Sequence, residues 1–194
     1  MAIRAMKVLD LFCGLGGWSK AFAEAGHDCT GIDIKNHGYP GKFIKSDILD
    51  WEPDQDYDIV LASPPCTEFS IAKKYGYGTQ VEHSALDLVF RAFYLIELIK
   101  PKYWLIENVK GLAEFLPPPQ EMVRYGRRST HKTACLWSNI GKLGMLDSTI
   151  SYNTDKFRGG DPKRSLIPYP LSKAVLDKIK EKESRQRKRK VEPN

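Results

Sequence analysis

The sequence predicts an α/β fold in which a mostly parallel sheet is covered by helices on both faces. Short apolar segments alternate with segments whose apolar residues recur at helical spacing, which is typical of consecutive βαβ units. Gly26, Pro64 and Pro101 each close one of these segments. Polar residues directly follow several apolar runs, and ligands bind at the carboxyl ends of strands in such sheets. Those polar residues are therefore the candidates for function.

The elements can be assigned in order along the chain. The predicted strands are 7–12, 29–34, 42–48, 58–62 and 103–107, and the predicted helices are 18–25, 84–99 and 167–182. Three prolines at 117–119 interrupt the alternation, and the residues up to 165 are irregular. Within that region 132–139 is expected to be a strand, whose Trp137 either stacks on a base or belongs to the core. We expect one domain over 1–176 and a basic, flexible tail over 177–194.

Composition excludes several classes of protein. With 194 residues, of which 42% are hydrophobic, the chain can bury a sizeable core in one domain. No apolar run approaches the ~20 residues of a membrane span, and the N-terminal segment lacks a secretion signal. A cytoplasmic location, in a prokaryote or a virus-infected host cell, is expected. The four cysteines are far apart, which predicts neither a metal site nor a disulfide framework.

The net charge of +6 is concentrated near the C-terminus. Residues 178–190 contain eight basic and two acidic side chains, so the rest of the chain sums to zero. Such a segment can bind a phosphate backbone electrostatically. It is equally consistent with a solvated helix end.

A glycine-rich segment, Asp10 to Gly17, follows the first strand and opens the first helix. Glycine lets the backbone approach a ligand closely, and a helix N-terminus favours negative charge. Asp33 ends the second strand about 20 residues later, where a carboxylate can accept both ribose hydroxyls. Asp47 and Ile48 follow the third strand, where they can accept from an adenine amino group and pack on its ring. Together these features predict a nucleoside ligand.

A reactive segment, Ser63-Pro-Pro-Cys66, follows the fourth strand. The prolines stiffen the backbone around Cys66, whose thiol is either a nucleophile or a packed core group. Glu107 and Asn108 end the fifth strand, so they are expected to face the same crevice as Cys66. Burial there would raise the pKa of Glu107 and let it share or donate a proton, although a Glu at this point can also cap the following turn.

These segments, in this order, resemble the motifs of the DNA cytosine-5 methyltransferases over residues 7–112. The resemblance is carried by DLFCGLGGW, SPPCTEFS and IENV. It implies a Rossmann-like methyltransferase fold, S-adenosyl-L-methionine as cofactor, and DNA as partner. The cofactor-binding residues it implies are Asp10, Phe12, Gly14, Gly16, Gly17, Asp33, Ile34, Asp47, Ile48 and Pro64. The catalytic residues it implies are Cys66, which attacks carbon 6 of cytosine, Glu107, which contacts N3 and the exocyclic amine, Asn108 and Arg128.

The chain departs from the family pattern at several places. Ser63 and Thr67 stand where the family usually has Gly and Gln, and Asp33 stands where a Glu is usual. The arginine motif is not clear: Arg128 is our choice among Arg124, Arg127, Arg128 and Arg164. The region that would hold a target-recognition domain is short. This implies weak specificity, a separate specificity subunit or homodimer, or recognition through the basic tail.

Three other functions remain open at the level of sequence. An RNA cytosine-5 methyltransferase would use the same Cys and Glu chemistry. An amino methyltransferase would share the Ser-Pro-Pro turn, but it has an aromatic residue where this chain has Cys66 and it needs no thiol. A non-catalytic accessory subunit would bind the cofactor, and would bind DNA through the tail.

Overall fold

A computed structural model describes residues 4–69, 83–125, 132–144, 163 and 166–191. Its strands are β1 (Lys7–Leu11), β2 (Asp28–Asp33), β3 (Lys42–Lys45), β4 (Ile59–Ala62), β5 (Tyr103–Val109), β6 (Glu121–Tyr125) and β7 (Lys132–Ser138). Its α-helices are α1 (Ser19–Glu24), α2 (His83–Ile99) and α3 (Tyr169–Val191), and there are 3-10 helices at Thr67–Phe69 and Lys110–Glu114. Within these ranges no helix is both long enough and apolar enough to cross a bilayer.

The strands form one seven-stranded sheet in the order β3-β2-β1-β4-β5-β7-β6. The first five strands in this order are parallel, and β7 is antiparallel to both β5 and β6. The chain adds β2 and β3 on one side of β1 and then places β4 on the other side. This change of direction opens a crevice beyond the carboxyl ends of β1 and β4, where parallel α/β sheets bind ligands.

Helices cover both faces of the sheet, as predicted. One face packs against α1 and α3, in a core that includes Phe22, Leu171 and Val175. The other face packs against α2, in a core that includes Val89 and Leu95. Burying one such aliphatic side chain contributes about 1.5–3 kcal/mol. These two layers hold the strand ends, and therefore the residues that follow them, in fixed positions.

Apart from the end of the C-terminal helix, the predicted elements lie within a few residues of the observed ones. Gly26 ends α1 with a φ of 82°, a conformation that glycine adopts without strain. Strand β6 was not predicted, because it has only five residues and only two of them, Val123 and Tyr125, are buried. Trp137, in β7, is 3% exposed and donates from its indole nitrogen to the Pro117 carbonyl at 2.7 Å. It therefore belongs to the core and is not available to stack on a base.

The C-terminal helix differs from the predicted flexible tail. Helix α3 continues from Tyr169 through Val191, so the expected boundary at residue 177 falls inside it. The reason is packing: Ile179 is fully buried, and Glu183 accepts a hydrogen bond from the Tyr103 hydroxyl at 2.9 Å. The apolar face of the helix thus extends beyond the predicted boundary.

Helix α3 runs along the sheet from the carboxyl ends of the parallel strands to their amino ends. Near its start, the Ser172 hydroxyl donates to the Trp18 carbonyl beside the glycine-rich segment. Near its end, Glu183 meets Tyr103, which is the first residue of β5. The exposed basic residues Arg187 and Lys188 come after this contact, so they extend beyond the amino ends of the strands. The basic segment therefore lies near the amino ends of the parallel strands, whereas the crevice lies at their carboxyl ends.

Candidate active site

The glycine-rich segment after β1 makes a tight loop at the crevice. Phe12, Gly14 and Gly16 all have positive φ angles, of 59°, 50° and 77°. The Gly14 amide donates to the Asp33 carboxylate at 3.0 Å, which ties the loop to the end of β2. Apart from its two chain neighbours, no described residue has an atom within 4 Å of the position that a Cβ would take at Gly14. The loop thus presents open space and a partly exposed Phe12 ring toward a ligand.

The next two glycines are required for packing. A Cβ atom at Gly16 would lie 2.8 Å from Pro40 Cδ, and one at Gly17 would lie 2.7 Å from the Ile167 backbone nitrogen. The loop is therefore pressed against the segment that leads into α3. A cofactor contact through the backbone of either glycine stays a prediction.

The ends of β2 and β3 carry the predicted nucleoside contacts. Asp33 is partly exposed, and Ile34 beside it is 65% exposed, so both are accessible to a ligand. Asp47 is exposed and accepts from the Leu49 amide at 2.9 Å. Ile48 is only 4% exposed and packs in the core beneath the sheet edge. A role for Ile48 against an adenine ring therefore rests on a small exposed edge and stays a prediction.

Asp10 differs from the other predicted cofactor residues because its carboxyl group is buried. It is 1% exposed and accepts from the Ser19 hydroxyl at 2.7 Å, and Ser19 also bonds to the Tyr39 hydroxyl at 2.6 Å. Burial raises the pKa of Asp10 to about 7. This position supports a role in holding the loop rather than the predicted direct contact with a cofactor.

The Pro-Cys segment follows β4 and is fastened to β5 by Asn108. This side chain is 1% exposed, donates from Nδ2 to the Pro64 carbonyl at 3.0 Å, and accepts from the Val109 amide at 2.8 Å. Gly111 adds a second contact, because a Cβ atom there would lie 2.0 Å from the Phe69 carbonyl oxygen. Cys66 thus sits in a segment whose backbone is held on both sides by the end of β5.

Cys66 and Glu107 come together at the carboxyl ends of the neighbouring strands β4 and β5. Both are partly exposed. Burial raises the pKa of Glu107 to about 7, against the opposing effects of Ser63 and Lys132. Burial also raises the pKa of the Cys66 thiol, and the negative charge of Glu107 raises it further. A proton on Glu107 therefore makes Cys66 easier to ionise, which couples an acid to a nucleophile.

Two further residues surround this pair, and the sequence analysis did not assign either of them a role. The Ser63 hydroxyl donates to Glu107 Oε2 at 3.0 Å and accepts from Trp18 Nε1 at 2.8 Å. The positive charge of Lys132 lowers the pKa of both Cys66 and Glu107. Ser63 was visible in the sequence as a departure from the usual glycine. Lys132 had no signal, because strand pairing alone brings β7 beside β5.

Arg128 lies outside the described residues, so its predicted catalytic role stays a prediction. The four cysteines are free thiols, and Cys66 is more exposed than the other three. Among the residues that the structure describes, no group of His, Cys, Asp and Glu is arranged to hold a metal ion.

Comparison with known proteins identifies the family. The family model for C-5 cytosine-specific DNA methylase matches residues 6–116, which is more than half of the chain. A Frog virus 3 protein named "Probable DNA (cytosine-5)-methyltransferase" is 31% identical over 157 residues, covering 70% of this chain and 71% of the relative. The type II methyltransferase M.Bsp6I of Bacillus sp. (strain RFL6) is 32% identical over 56% of this chain, which spans 37% of that relative.

Type II methyltransferase M.AgeI of Thalassovita gelatinovora is 28% identical over 55% of this chain, which spans 28% of its length. Among solved structures, the chain is similar to the Burkholderia thailandensis 1,6-didemethyltoxoflavin-N1-methyltransferase. Their identity is 17% and their TM-score 0.48, over 70% of this chain and 71% of that one. The family match covers β1 to β5 and both reactive residues, and from it we conclude that the chain belongs to the C-5 cytosine-specific DNA methylases, which use S-adenosyl-L-methionine as methyl donor.

Proposed function

We propose that the chain transfers a methyl group from S-adenosyl-L-methionine to carbon 5 of cytosine in DNA, through a covalent adduct on Cys66. One observation carries this proposal: Cys66 and Glu107 meet at the ends of β4 and β5, with Asn108 fastening one segment to the other. The raised pKa of Glu107, about 7, suits a group that must hold a proton near neutral pH.

The residues around the crevice fit the cofactor. Gly14 borders open space, Ile34 is exposed, and the Asp33 carboxylate is accessible at the end of β2. We propose that Asp33 accepts the ribose hydroxyls, and that Asp47 and Ile48 contact the adenine. Phe12, Gly14, Gly16, Gly17, Ile34 and Pro64 would line the remainder of the site. When bound, S-adenosyl-L-methionine supplies an electrophilic methyl group on a sulfonium.

The first step for the protein is addition of the Cys66 thiolate to carbon 6 of cytosine. A bond forms between Sγ and carbon 6, and the ring electrons move toward carbon 5 and N3. Protonated Glu107 donates toward N3 and neutralises the charge that develops there, a contribution of typically 10²–10⁴-fold. Because a neutral Glu107 also lowers the pKa of Cys66, the acid and the nucleophile are both ready in the same protonation state.

Release reverses the addition. Once carbon 5 carries the methyl group, water takes up the carbon 5 proton and the proton on N3 returns to Glu107. The electrons released form the carbon 5–carbon 6 double bond as the Sγ–carbon 6 bond breaks, and Cys66 leaves as a thiolate. A cytosine within a duplex must first be flipped out of the stack, which costs a few kcal/mol.

The decisive test is to trap the adduct on DNA that contains 5-fluorocytosine, since fluorine at carbon 5 cannot leave as a proton. We expect a covalent protein–DNA complex with the full chain, and no complex with Cys66→Ser. Cys29→Ala, which removes a buried thiol away from the crevice, is the matched control and should still form the complex. Full methyl transfer by Cys66→Ser would overturn the proposal.

The substrate class is tested with labelled S-adenosyl-L-methionine. We expect label to enter DNA and not tRNA, and to be found on carbon 5 of cytosine. Label in tRNA would favour an RNA cytosine methyltransferase, and label on an exocyclic amine would favour an amino methyltransferase. Cofactor binding with no transfer to either nucleic acid would indicate an accessory subunit.

We further propose that a second copy of the chain or a separate specificity subunit completes target recognition, in the cytoplasm of a bacterium or a virus-infected cell. The basic segment supports this proposal. Arg187 and Lys188 lie beyond the amino ends of the strands, so a DNA contact there would be separate from the crevice. Bisulfite sequencing of DNA from expressing cells tests it. We expect methylation in a recurring sequence context only when the partner is present.

A further inference from the structure

We propose that Ser63 is a positioning residue that holds the Glu107 carboxyl group in one orientation at the crevice, with the Trp18 indole fixing the direction in which the serine hydroxyl donates. The inference rests on the proposed role of Glu107 as a proton donor. It goes beyond that role because it assigns a function to a residue at which this chain departs from the usual glycine of the family.

The three side chains form a directed chain of hydrogen bonds. Trp18 Nε1 can only donate, and it reaches Ser63 Oγ at 2.8 Å. The Ser63 hydroxyl has a single proton, and the geometry sends it to Glu107 Oε2 at 3.0 Å. An ionised Glu107 can only accept, so in that state the chemistry of the groups determines the direction of both hydrogen bonds. A proton added at Oε1 leaves both bonds unchanged.

The chain of hydrogen bonds joins three parts of the fold. Trp18 is 2% exposed and precedes α1 at the end of the glycine-rich segment. Ser63 directly follows β4, and Glu107 lies within β5. Because Trp18 is buried in the core, it gives Ser63 Oγ a fixed donor. The hydroxyl proton must point away from that donor, which favours its hydrogen bond to Glu107.

The arrangement has two consequences for Glu107. Oε2 is occupied by Ser63, so a proton that Glu107 is to donate must sit on Oε1. Donation by Ser63 also favours the ionised carboxylate and lowers its pKa, against the larger effect of burial. Ser63 therefore limits how far burial raises the pKa, and it keeps the carboxyl group able to release its proton near neutral pH. A glycine at position 63 can do neither.

The test is the pH dependence of kcat for methyl transfer to DNA by the full chain. In the intact protein the activity should fall as pH rises through the pKa of Glu107, because the proton is then lost. Ser63→Ala removes the donor, so this fall should move upward by about one pH unit. Because the carboxyl group also loses its fixed orientation, kcat on the acidic side of the fall should decrease about tenfold even though Glu107 is more fully protonated. Ser63→Thr retains a hydroxyl and should restore the position of the fall.

Trp18→Phe is a second, independent variant. It keeps the Ser63 hydroxyl but removes its fixed partner, so the fall in activity should move in the same direction by a smaller amount. This variant also keeps the proposal testable should Ser63→Ala fail to fold. Cofactor binding and the melting temperature of each variant would establish that it is folded.

Ser19→Ala is the matched control. It removes a hydroxyl from Asp10, a second carboxyl group of raised pKa, which is 1% exposed and accepts from Ser19 and not from Ser63. We expect it to leave the position of the alkaline fall unchanged. The inference would be overturned if the alkaline fall in kcat moved as far in Ser19→Ala as in Ser63→Ala. It would also be overturned if the fall moved in neither Ser63→Ala nor Trp18→Phe. That result would leave the proposed function intact if the 5-fluorocytosine adduct still forms; if the adduct does not form, the proposed function itself fails.

Discussion

Asp10 on β1 and Glu107 on β5 are two carboxyl groups with closely similar hydrogen-bond partners. Each accepts a hydrogen bond from a serine hydroxyl, Ser19 in one case and Ser63 in the other. Each serine is in turn bonded to an aromatic side chain, the Tyr39 hydroxyl or the Trp18 indole. Burial is the main cause of the raised pKa of both carboxyl groups, which is about 7 in each.

The two carboxyl groups differ in how far each is exposed to the crevice, where a substrate would bind. Asp10 is 1% exposed and lies beneath the glycine-rich loop, whereas Glu107 is partly exposed at the crevice beside Cys66. A raised pKa therefore marks burial, and it does not by itself distinguish a catalytic group from a structural one. Proximity to a nucleophile and an opening toward substrate make the distinction. On these grounds we propose that Glu107 donates the proton and that Asp10 supports the loop.

The largest expected effect is the difference in kcat between Glu107→Gln and Asp10→Asn. Glu107→Gln keeps the size of the side chain but removes the acid, so kcat for methyl transfer should fall by about 10²–10⁴-fold. Asp10→Asn should act chiefly through the loop and weaken cofactor affinity. Single-turnover rates and cofactor titration on both variants measure the two effects separately. An equal loss of kcat in the two variants would mean that access does not separate the carboxyl groups.

The second largest effect is expected from glycines that let the backbone pack closely beside the Cys66 segment and within the glycine-rich loop. Gly111→Ala places a Cβ atom where the Phe69 carbonyl oxygen is 2.0 Å away, so the segment carrying Cys66 must shift. A displacement of about 1 Å at a reacting group can cost 10²-fold, and we expect a loss of about that size in kcat.

Gly17→Ala is the counterpart on the Asp10 side. Its Cβ atom would lie 2.7 Å from the Ile167 backbone nitrogen, so it should disturb the glycine-rich loop. We expect its main effect on the Kd for S-adenosyl-L-methionine. The prediction fails if Gly111→Ala weakens cofactor binding more than it slows the transfer step.

The sequence was informative wherever a local pattern determines position. Apolar runs predicted β1, β2, β4 and β5, because buried parallel strands need continuous apolar residues. The residues after those runs necessarily lie at one edge of the sheet, which is why Cys66 and Glu107 could be placed together in advance. Asn108, which the resemblance implied as a catalytic residue, donates to the Pro64 carbonyl, and its role in catalysis stays a prediction.

The remaining contacts depend on distances across the fold that no local pattern encodes. Ser63 meets Trp18 across 45 positions in the chain, and Ser19 meets Tyr39 across 20. Asp10 has the same local sequence signal as an exposed strand-end carboxylate, and only the packing of the loop above it makes it buried. The length of α3 was underestimated because its charged residues conceal the buried contacts of Ile179 and Glu183.

A third and smaller effect is the pH dependence of stability. The carboxyl of Asp10 holds its proton to about pH 7 in the folded chain but loses it near pH 3.8 when unfolded. Between these values the folded state binds more protons, so the free energy of unfolding decreases as pH rises, by up to about 1.4 kcal/mol per pH unit. Asp10→Asn should remove this contribution. Denaturant unfolding at pH 5, 6 and 7 would measure it, and an unchanged slope would contradict the burial of an ionisable Asp10.

The smallest effect is expected from the aromatic partner on the Asp10 side. Tyr39 is 7% exposed, and its hydroxyl bonds to Ser19 at 2.6 Å. Tyr39→Phe removes one buried hydrogen bond and should lower the free energy of unfolding by about 1 kcal/mol. The Tyr39 hydroxyl is linked through Ser19 to Asp10 and not to Glu107. The alkaline fall in kcat should therefore stay at the same pH. Trp18→Phe, the equivalent change on the Glu107 side, should move that fall. A shift in Tyr39→Phe together with no shift in Trp18→Phe would show that the alkaline fall in kcat reports the titration of Asp10 and not that of Glu107.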